Sequence, residues 1–292
     1  GVSEVMYSHP EDLAFRVSDE TPVDVSSVLK KNKVDILINY LPVGSQKATE
    51  FYALECIKAK VAFLNCIPVF IASNPVWEKK FIDAGLPLIG DDMKSQFGAS
   101  ILSQMLQELA FSRGHKVKCH IQRNIGGNTD FLNMIDEKRL QSKKISKENV
   151  IKAQDRINNV NTDSFLHAGP SEYISYHKDN KIANFHLELE GFMGSPVVLD
   201  AQLSVIDSPN SAGVVIDAIR YLMVAIEMGI VGSLRGPSAF TQKTPPAQMH
   251  YSDTIKECDA LSDRKLTEFT KMQTKKYNPE EIIKLYPSHN TQ

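Results

Sequence analysis

Two short apolar runs near the start of the chain restrict its fold more than any other feature. VDILINY (34–40) and VAFLNC (61–66) are apolar without interruption, as strands buried on both faces are. A helical pattern carried by Phe51, Leu54 and Ile57 separates them, and a second helix and the strand LPLIG follow. Buried strands joined by single helices predict βαβ units in a parallel sheet.

After Gly90 the pattern changes. A helix is predicted over 93–112, with Ile101, Leu102, Met105, Leu106 and Leu109 along its apolar side. It precedes strands in which apolar and polar residues alternate strictly, the longest at 196–206. Alternation with a period of two predicts an open sheet with one buried face. The segment 211–231 is apolar almost all round, which predicts an interior helix. The sequence therefore predicts an α/β fold that carries an inserted α+β unit.

Composition excludes several classes of protein. The 292 residues carry a formal net charge of −2, so no overall basic field favours nucleic acid or an anionic membrane. The four cysteines are scattered without a C-x-x-C pair, which indicates a reducing, cytoplasmic compartment. No apolar run approaches the ~18–20 residues of a membrane span. The eight histidines lack metal-ligand spacing, which argues against a structural zinc site.

A lysine cluster in RLQSKKISK is the first candidate for chemistry. Lys143 and Lys147 share one helical face, whereas Lys144 is rotated roughly 100° away. Two ammonium groups on one face repel each other, which a protein tolerates on a solvated surface or uses to bind an anion. The spacing alone favours the solvated surface.

The segment GDDMKSQFGAS is the second candidate. Asp91 and Asp92 follow a strand and precede a helix that opens near Lys94, where a parallel sheet binds ligands. A helix-capping role for an aspartate is equally consistent. Lys181 in a polar turn and Lys243 near a helix C-terminus have ordinary explanations as an exposed lysine and a dipole partner.

Two further turns carry polar residues. QRNIGGNTDF surrounds a Gly-Gly pair with Asn124, Asn128 and Asp130, and a plain turn is the default interpretation. In DSPNSAGVVID, helix capping explains Asn210. It leaves Asp207 unexplained.

Together these segments resemble one family, the inositol-phosphate synthases, in their bacterial branch. The matching blocks run in family order from about residue 20 to about residue 250. They are VDILINYLPVGSQKA, KVAFLNCIPVFIAS, GDDMKSQFGAS, NIGGNTDFLNM, RLQSKKISK, IDSPNSAGVVIDAIR and SAFTQKTPP. The resemblance implies an NAD-dependent isomerase that cyclises glucose 6-phosphate to myo-inositol phosphate in inositol and phospholipid biosynthesis. It also implies a cytoplasmic homotetramer and leaves the identity of any cation open.

The resemblance also implies site residues. The implied catalytic residues are Lys143, Lys147, Lys181, Lys243, Asp92 and Asp207. The implied cofactor-binding residues are Asn39, Leu41, Pro42, Asn65, Pro68, Ser73, Asp91 and Asp92. The implied substrate-binding residues are Lys94, Asn124, Gly127, Asn128, Asp130 and Asn210. Lys143 and Lys243 would serve the oxygen that is oxidised and the enolate. Lys147 and Lys181 would serve the phosphate and carbonyl, because clustered ammonium groups stabilise developing negative charge.

One departure from the family concerns the cofactor. Residues 1–90 and 208–292 would form an incomplete Rossmann-like NAD-binding domain, and 91–207 an inserted catalytic and oligomerisation domain. No G-x-G-x-x-G opens a βαβ unit here. The chain is then a fragment, which the missing initiator Met favours, or a natural truncation. The alternative function is a non-catalytic sugar-phosphate-binding or assembly relative that has lost NAD binding.

Overall fold

The computed structural model describes Val5, residues 17–133 and residues 164–274. Its first sheet is parallel throughout, in the order β1-β2-β3-β8. The strands are β1 (Ile36–Asn39), β2 (Ala62–Asn65), β3 (Pro87–Ile89) and β8 (Gly232–Ser233). The parallel sheet and its helical connections confirm the predicted α/β fold.

The second sheet is mixed, in the order β5-β4-β6-β7. Its strands are β4 (Lys116–Gly126), β5 (Phe165–Tyr173), β6 (Asn180–Glu190) and β7 (Pro196–Ile206). β4 pairs parallel with β5 and antiparallel with β6, which pairs antiparallel with β7. All four strands of this sheet come from residues 116–206.

Nine α-helices lie within the described ranges. They are α1 (Val25–Lys31), α2 (Gln46–Ala59), α3 (Pro75–Ala84), α4 (Ala99–Ser112), α5 (Thr129–Asn133), α6 (Asp207–Glu227), α7 (Arg235–Thr241), α8 (Tyr251–Ser262) and α9 (Glu268–Gln273). Helix α3 shows how local sequence fixes its ends. The Asn74 side chain accepts from Val76 N, Pro75 occupies the first turn, and Gly85 ends the helix at φ 74°.

The first sheet is buried on both faces. Phe63 and Leu88 belong to a core cluster shared with α2 and α3. Leu64 and Ile89 point the other way, into a cluster with α6. The two clusters explain why β1 to β3 read as uninterrupted apolar runs.

Helix α2 buries only part of the predicted face, of which Ile57 packs against the core cluster. Phe51 and Leu54 are exposed, whereas the small residues Ala48, Ala53 and Cys56 are buried. Small side chains let the helix backbone approach the sheet closely, so the large apolar residues turn outward.

Helix α4 is shorter than predicted and buries polar residues. It begins at Ala99 instead of residue 93, because 93–98 forms a loop. Ser103 and Gln107 are buried, while Met105 and Leu109 of the predicted apolar side are exposed. A buried polar face needs hydrogen-bond partners, and β4 supplies them.

Helix α6 begins four residues earlier than predicted and is not interior on every side. Ala218 and Leu222 pack against the first sheet, whereas Ile216 is exposed. Among the described residues it alone has the length and composition that could cross a membrane, with a mean hydropathy of 1.2. Of its apolar window 28% is buried, on the side that packs against the first sheet.

A buried ion pair ties α3 to α7. Arg235 Nη1 lies 3.0 Å from Glu78 Oε1, and Nη2 lies 3.3 Å from Oε2. Both side chains are at most 3% exposed. Ser233 N also donates to Glu78 Oε1 at 3.3 Å, so β8 is held by the same carboxylate.

Candidate functional site

A cavity of about 570 Å³ lies between the carboxyl ends of the first sheet and the second sheet. In an open parallel sheet this edge is where ligands bind. The walls are formed by the segments after β1 and β2, the loop before α4, the β4–α5 turn, the start of β6 and the first turn of α6. Of the predicted site residues, ten line it: Leu41, Pro42, Pro68, Asp92, Asn124, Asn128, Asp130, Lys181, Asp207 and Lys243.

The first charged group of the cavity is the pair Lys243–Asp92, joined at 2.9 Å between Nζ and Oδ1. The Asp92 side chain is 4% exposed and that of Lys243 is 14% exposed. Asp92 adopts φ 60°, a left-handed backbone conformation that is uncommon outside glycine and that aspartate adopts more readily than most residues. Lys243 N donates to Asp92 O at 2.7 Å, so the backbone supports the side-chain pair.

The second charged group is the pair Lys181–Asp207, in which Nζ donates to Oδ1. Asp207 is the first residue of α6, where the helix dipole stabilises a carboxylate. Asn128 Nδ2 lies 3.4 Å from Asp207 Oδ2 and 3.2 Å from Asp179 Oδ1. Asp179 also accepts from Ser208 N, so turn and helix are tied together. Two lysines and two acids from four distant segments thus face one cavity.

The predicted lysines Lys143 and Lys147 lie outside the described residues. Helix α5, which ends 10 residues before Lys143, lies on the cavity through Thr129, Phe131 and Asn133. The roles of Lys143 and Lys147 stay predictions.

Asn210, a predicted substrate ligand, holds a loop in place. Its Nδ2 donates to Phe97 O at 2.7 Å, and its Oδ1 accepts from Phe97 N at 3.0 Å. Gln96 N donates to Asn210 O, and a Cβ on Gly213 would lie 2.8 Å from Gln96 Oε1. Asn210 therefore fastens the loop before α4 to the first turn of α6 and does not line the cavity.

Gly127, another predicted substrate ligand, serves close packing. A Cβ at this position would overlap Ile174 O and lie 2.6 Å from Lys178 N. Its own N–H donates to Lys178 O at 3.1 Å. The absence of a side chain lets the end of β4 touch the turn that leads to Lys181.

Lys94 is fully buried beside the Lys243–Asp92 pair. Its Nζ donates to Ala239 O at 2.7 Å, and its backbone N donates to Thr241 O at 2.8 Å. Burial, with a smaller contribution from the charge of Lys243, lowers the pKa of Lys94 to about 7.

Lys94 gives the stability of the chain a specific pH dependence. The unfolded lysine keeps its proton up to its usual pKa of 10.5, whereas the folded one loses it above about 7. The free energy of unfolding should therefore rise with pH in this window, by at most about 1.4 kcal/mol per pH unit. Urea unfolding at pH 7, 8 and 9 measures it.

The control for this experiment is Lys94→Met, which keeps the volume and removes the titrating group. Relative to Lys94→Met, the wild type should gain unfolding free energy steadily from pH 7 to pH 9. A difference that does not change with pH would contradict the assignment.

Four predicted cofactor residues form a buried network behind the cavity wall. Asn39 Nδ2 donates to Asn65 Oδ1 at 2.8 Å, and Asn65 Nδ2 donates to Asp91 Oδ1 at 2.7 Å. Asp91 also accepts from the backbone N–H groups of Ile71, Ala72 and Ser73 and from Ser73 Oγ. Burial raises the pKa of Asp91 to about 6 against these donors. The network holds the ends of β1, β2 and β3 together.

Several cavity residues escaped the sequence prediction. They include Tyr40, Cys66, Ser95, Ser100, Gln122, Ser208 and Ser211. Most adjoin a predicted residue: Tyr40 and Cys66 lie next to Leu41 and Asn65, and Ser95, Ser208 and Ser211 next to Lys94, Asp207 and Asn210. Gln122 opens the segment QRNIGGNTDF, but its place in an alternating strand gave it no chemical role. Among the described residues, no group of three or more His, Cys, Asp or Glu is placed to hold a metal.

Comparison with known proteins identifies the family. The family model described as myo-inositol-1-phosphate synthase matches residues 98–208. An inositol-3-phosphate synthase from Mycolicibacterium smegmatis is 47% identical over 237 residues, which are 80% of this chain and 65% of that protein. This chain belongs to the myo-inositol-1-phosphate synthase family. The bacterial relative confirms the resemblance found in the sequence.

Two further relatives extend the comparison. The inositol-3-phosphate synthase of Mycobacterium tuberculosis strain H37Rv is 48% identical over 235 residues, 80% of this chain and 64% of that protein. This member of the synthase family thus spans just under two thirds of the length of both mycobacterial relatives. A myo-inositol-1-phosphate synthase-related protein from Thermotoga maritima has a TM-score of 0.70 at 24% identity, covering 83% of this chain and 70% of that one. The last comparison shows a shared fold.

Proposed function

We propose that this chain carries the sugar-phosphate site of an isomerase that converts glucose 6-phosphate to myo-inositol phosphate with NAD. The observation that carries the proposal is the pair of lysine–aspartate contacts, Lys243–Asp92 and Lys181–Asp207, on one cavity. An intramolecular cyclisation of a phosphorylated sugar needs cations for phosphate and oxyanions and groups that exchange protons with the substrate. Lysines and carboxylates that could serve these roles line the same cavity.

Each lysine is suited to stabilise oxygen charge. Lys243 and Lys181 are mostly shielded from water, where an ammonium group acts more strongly on a developing oxyanion than in bulk solvent. Asp92 and Asp207 hold them in position before substrate arrives, which limits reorganisation during the reaction. Lys143 and Lys147 would add two more cations, as the family resemblance implies.

The wall after β1 and β2 fits a nicotinamide ring. Leu41, Pro42, Ile67 and Pro68 form an apolar surface that adjoins Asp92 at the carboxyl edge of the parallel sheet. NAD, when bound, would accept hydride from the sugar and return it, so the conversion has no net redox change. Asn39, Asn65, Ser73 and Asp91 would support this wall from behind.

We also propose a homotetramer and the domain division at residues 90 and 208. Within the described ranges β7 is an edge strand of the second sheet, and it exposes Val197, Val198 and Ile206. An exposed edge strand with apolar side chains favours pairing with another copy. The first sheet takes its strands from residues 36–89 and 232–233, on the outer sides of both boundaries.

Calorimetric titration of the 292-residue chain with NAD, followed by glucose 6-phosphate, tests the function. Micromolar binding of both ligands, with inositol phosphate formed on incubation, would support the isomerase. Binding of glucose 6-phosphate without NAD would favour the non-catalytic relative. Binding of neither ligand would overturn the proposal. A mycobacterial synthase assayed in parallel validates the conditions.

A further inference from the structure

A chain of buried polar side chains runs from α4 through β4 to the cavity. Ser103 Oγ lies 3.0 Å from His120 Nε2 and 2.7 Å from Gln122 Oε1. Gln122 Nε2 donates to Asn124 Oδ1 at 3.0 Å, and Asn124 Nδ2 donates to Gly169 O at 3.2 Å. Gln107 Oε1 lies 3.2 Å from His120 Nδ1. The five side chains are at most 3% exposed. We call this set, Gln107, His120, Ser103, Gln122 and Asn124, the amide relay.

The carbonyl of Gly169 fixes the direction of the amide relay, because a backbone oxygen can only accept. Asn124 must turn its Nδ2 toward Gly169, so its Oδ1 faces Gln122. Gln122 must then donate through Nε2 and accept through Oε1. The acceptor Oε1 receives the single hydroxyl hydrogen of Ser103.

The protonation of His120 follows from the same reasoning. The Ser103 hydroxyl has given its hydrogen to Gln122, so its oxygen accepts and His120 must carry its proton on Nε2. Burial lowers the pKa of His120 to about 4, which keeps the ring neutral with a bare Nδ1. Gln107 Oε1 is the atom placed next to Nδ1. A neutral ring with its proton on Nε2 therefore requires the Gln107 amide to be turned by about 180°, so that its Nε2–H donates to Nδ1.

The order of the amide relay decides what the cavity presents to a ligand. Gln122 and Asn124 both line the cavity, and each amide nitrogen has a second hydrogen beyond the one used in the relay. We propose that His120 and Ser103 are positioning residues that, together with the Gly169 carbonyl at the other end of the relay, hold these two amides as N–H donors to oxygen atoms of the substrate. This inference rests on the proposed function for the identity of that substrate, an oxygen-rich sugar phosphate.

A first experiment tests the relay without any assay of activity. Long-range ¹H–¹⁵N correlation on the chain labelled with ¹⁵N-histidine reports which ring nitrogen carries the proton. The His120 signal, assigned by its loss in His120→Gln, should show the Nε2–H tautomer from pH 6 to pH 8. An Nδ1–H tautomer, or an imidazolium ring in this range, would overturn the proposal.

A second experiment tests the consequence for the cavity. His120→Leu removes the donor to Ser103, whereas the amide of His120→Gln can still donate to it. We expect the KM for glucose 6-phosphate to rise about tenfold in His120→Leu, the equivalent of one misdirected hydrogen bond, and to stay within about threefold of wild type in His120→Gln. The value of kcat should change less than KM, because the amides bind ground and transition states alike.

The matched control is a second serine on the same helix. Ser103→Ala should raise the KM for glucose 6-phosphate as His120→Leu does. Ser112→Ala, at an exposed position, should leave the KM unchanged. Equal KM values for Ser103→Ala and wild type would overturn the proposal, as would equal losses in His120→Leu and His120→Gln. Failure of the wild type to bind glucose 6-phosphate would instead remove the proposed function, and the tautomer would still decide the order of the relay.

Discussion

Replacing Lys243 by methionine is expected to lower kcat for the conversion of glucose 6-phosphate about 100- to 1000-fold, the usual cost of one lost oxyanion donor. The substitution removes the ammonium group that faces the cavity and leaves the buried Asp92 carboxylate without its partner at 2.9 Å. Formation of inositol phosphate at saturating NAD and substrate measures the loss.

The control is Lys256→Met on α8, whose side chain is largely exposed and pairs only with Asp253 three residues away. Its kcat should equal that of the wild type. Circular dichroism of Lys243→Met separates a catalytic loss from unfolding, and the double variant Asp92→Asn with Lys243→Met removes the stranded charge. A folded Lys243→Met within tenfold of wild-type kcat would remove Lys243 from the reaction.

Breaking the Glu78–Arg235 pair should have the largest effect on stability. Glu78→Gln or Arg235→Met leaves one charge buried without its partner, which costs about 3–5 kcal/mol of unfolding free energy. The loss falls on α3, α7 and β8 together, because Ser233 N bonds to the same carboxylate. Urea unfolding followed by circular dichroism measures it.

An exposed pair provides the comparison. Arg264 and Glu227 lie 2.7 Å apart with both side chains more than half exposed, so Glu227→Gln should change unfolding by less than about 1 kcal/mol. The double variant Glu78→Leu with Arg235→Met should recover much of the loss, because apolar groups need no partner. Equal effects at the buried and exposed pairs would contradict this account.

The fold was largely predictable where burial leaves a mark in the sequence. The apolar runs 34–40 and 61–66 contain β1 and β2, and the alternation at 196–206 is β7. The predicted faces of α2 and α4 were right only in part. Ile57, Leu102 and Leu106 pack against core clusters, whereas Phe51, Leu54, Met105 and Leu109 are exposed. A periodicity analysis assigns Phe51 to the core and Ser103 to solvent, whereas close packing and the amide relay reverse both assignments.

The site was less predictable because its pairs join distant segments. Lys181 meets Asp207 through the antiparallel register that places Lys181 opposite Val205. Lys243 and Asp92 are 151 residues apart, and no local pattern relates them. The family resemblance named these four residues. Residue spacing alone gave Asp92, Lys181 and Lys243 an ordinary explanation and left Asp207 without one. His120 and Gln122 were missed because their partner Ser103 lies on a preceding helix.

The pairing of β3 with β8 affects the order of folding during synthesis. Leu88 of β3 lies beside Ser233 of β8, so the first sheet takes its last strand from a segment about 140 residues later in the chain. At about 5–20 residues per second the ribosome needs roughly 7–28 s to supply that strand. During this interval β3 has an open edge, and Arg235, the ion-pair partner of Glu78, has not yet been synthesised. The nascent chain therefore depends on late residues to close its earliest sheet, and a pause between these segments would prolong its exposure to aggregation.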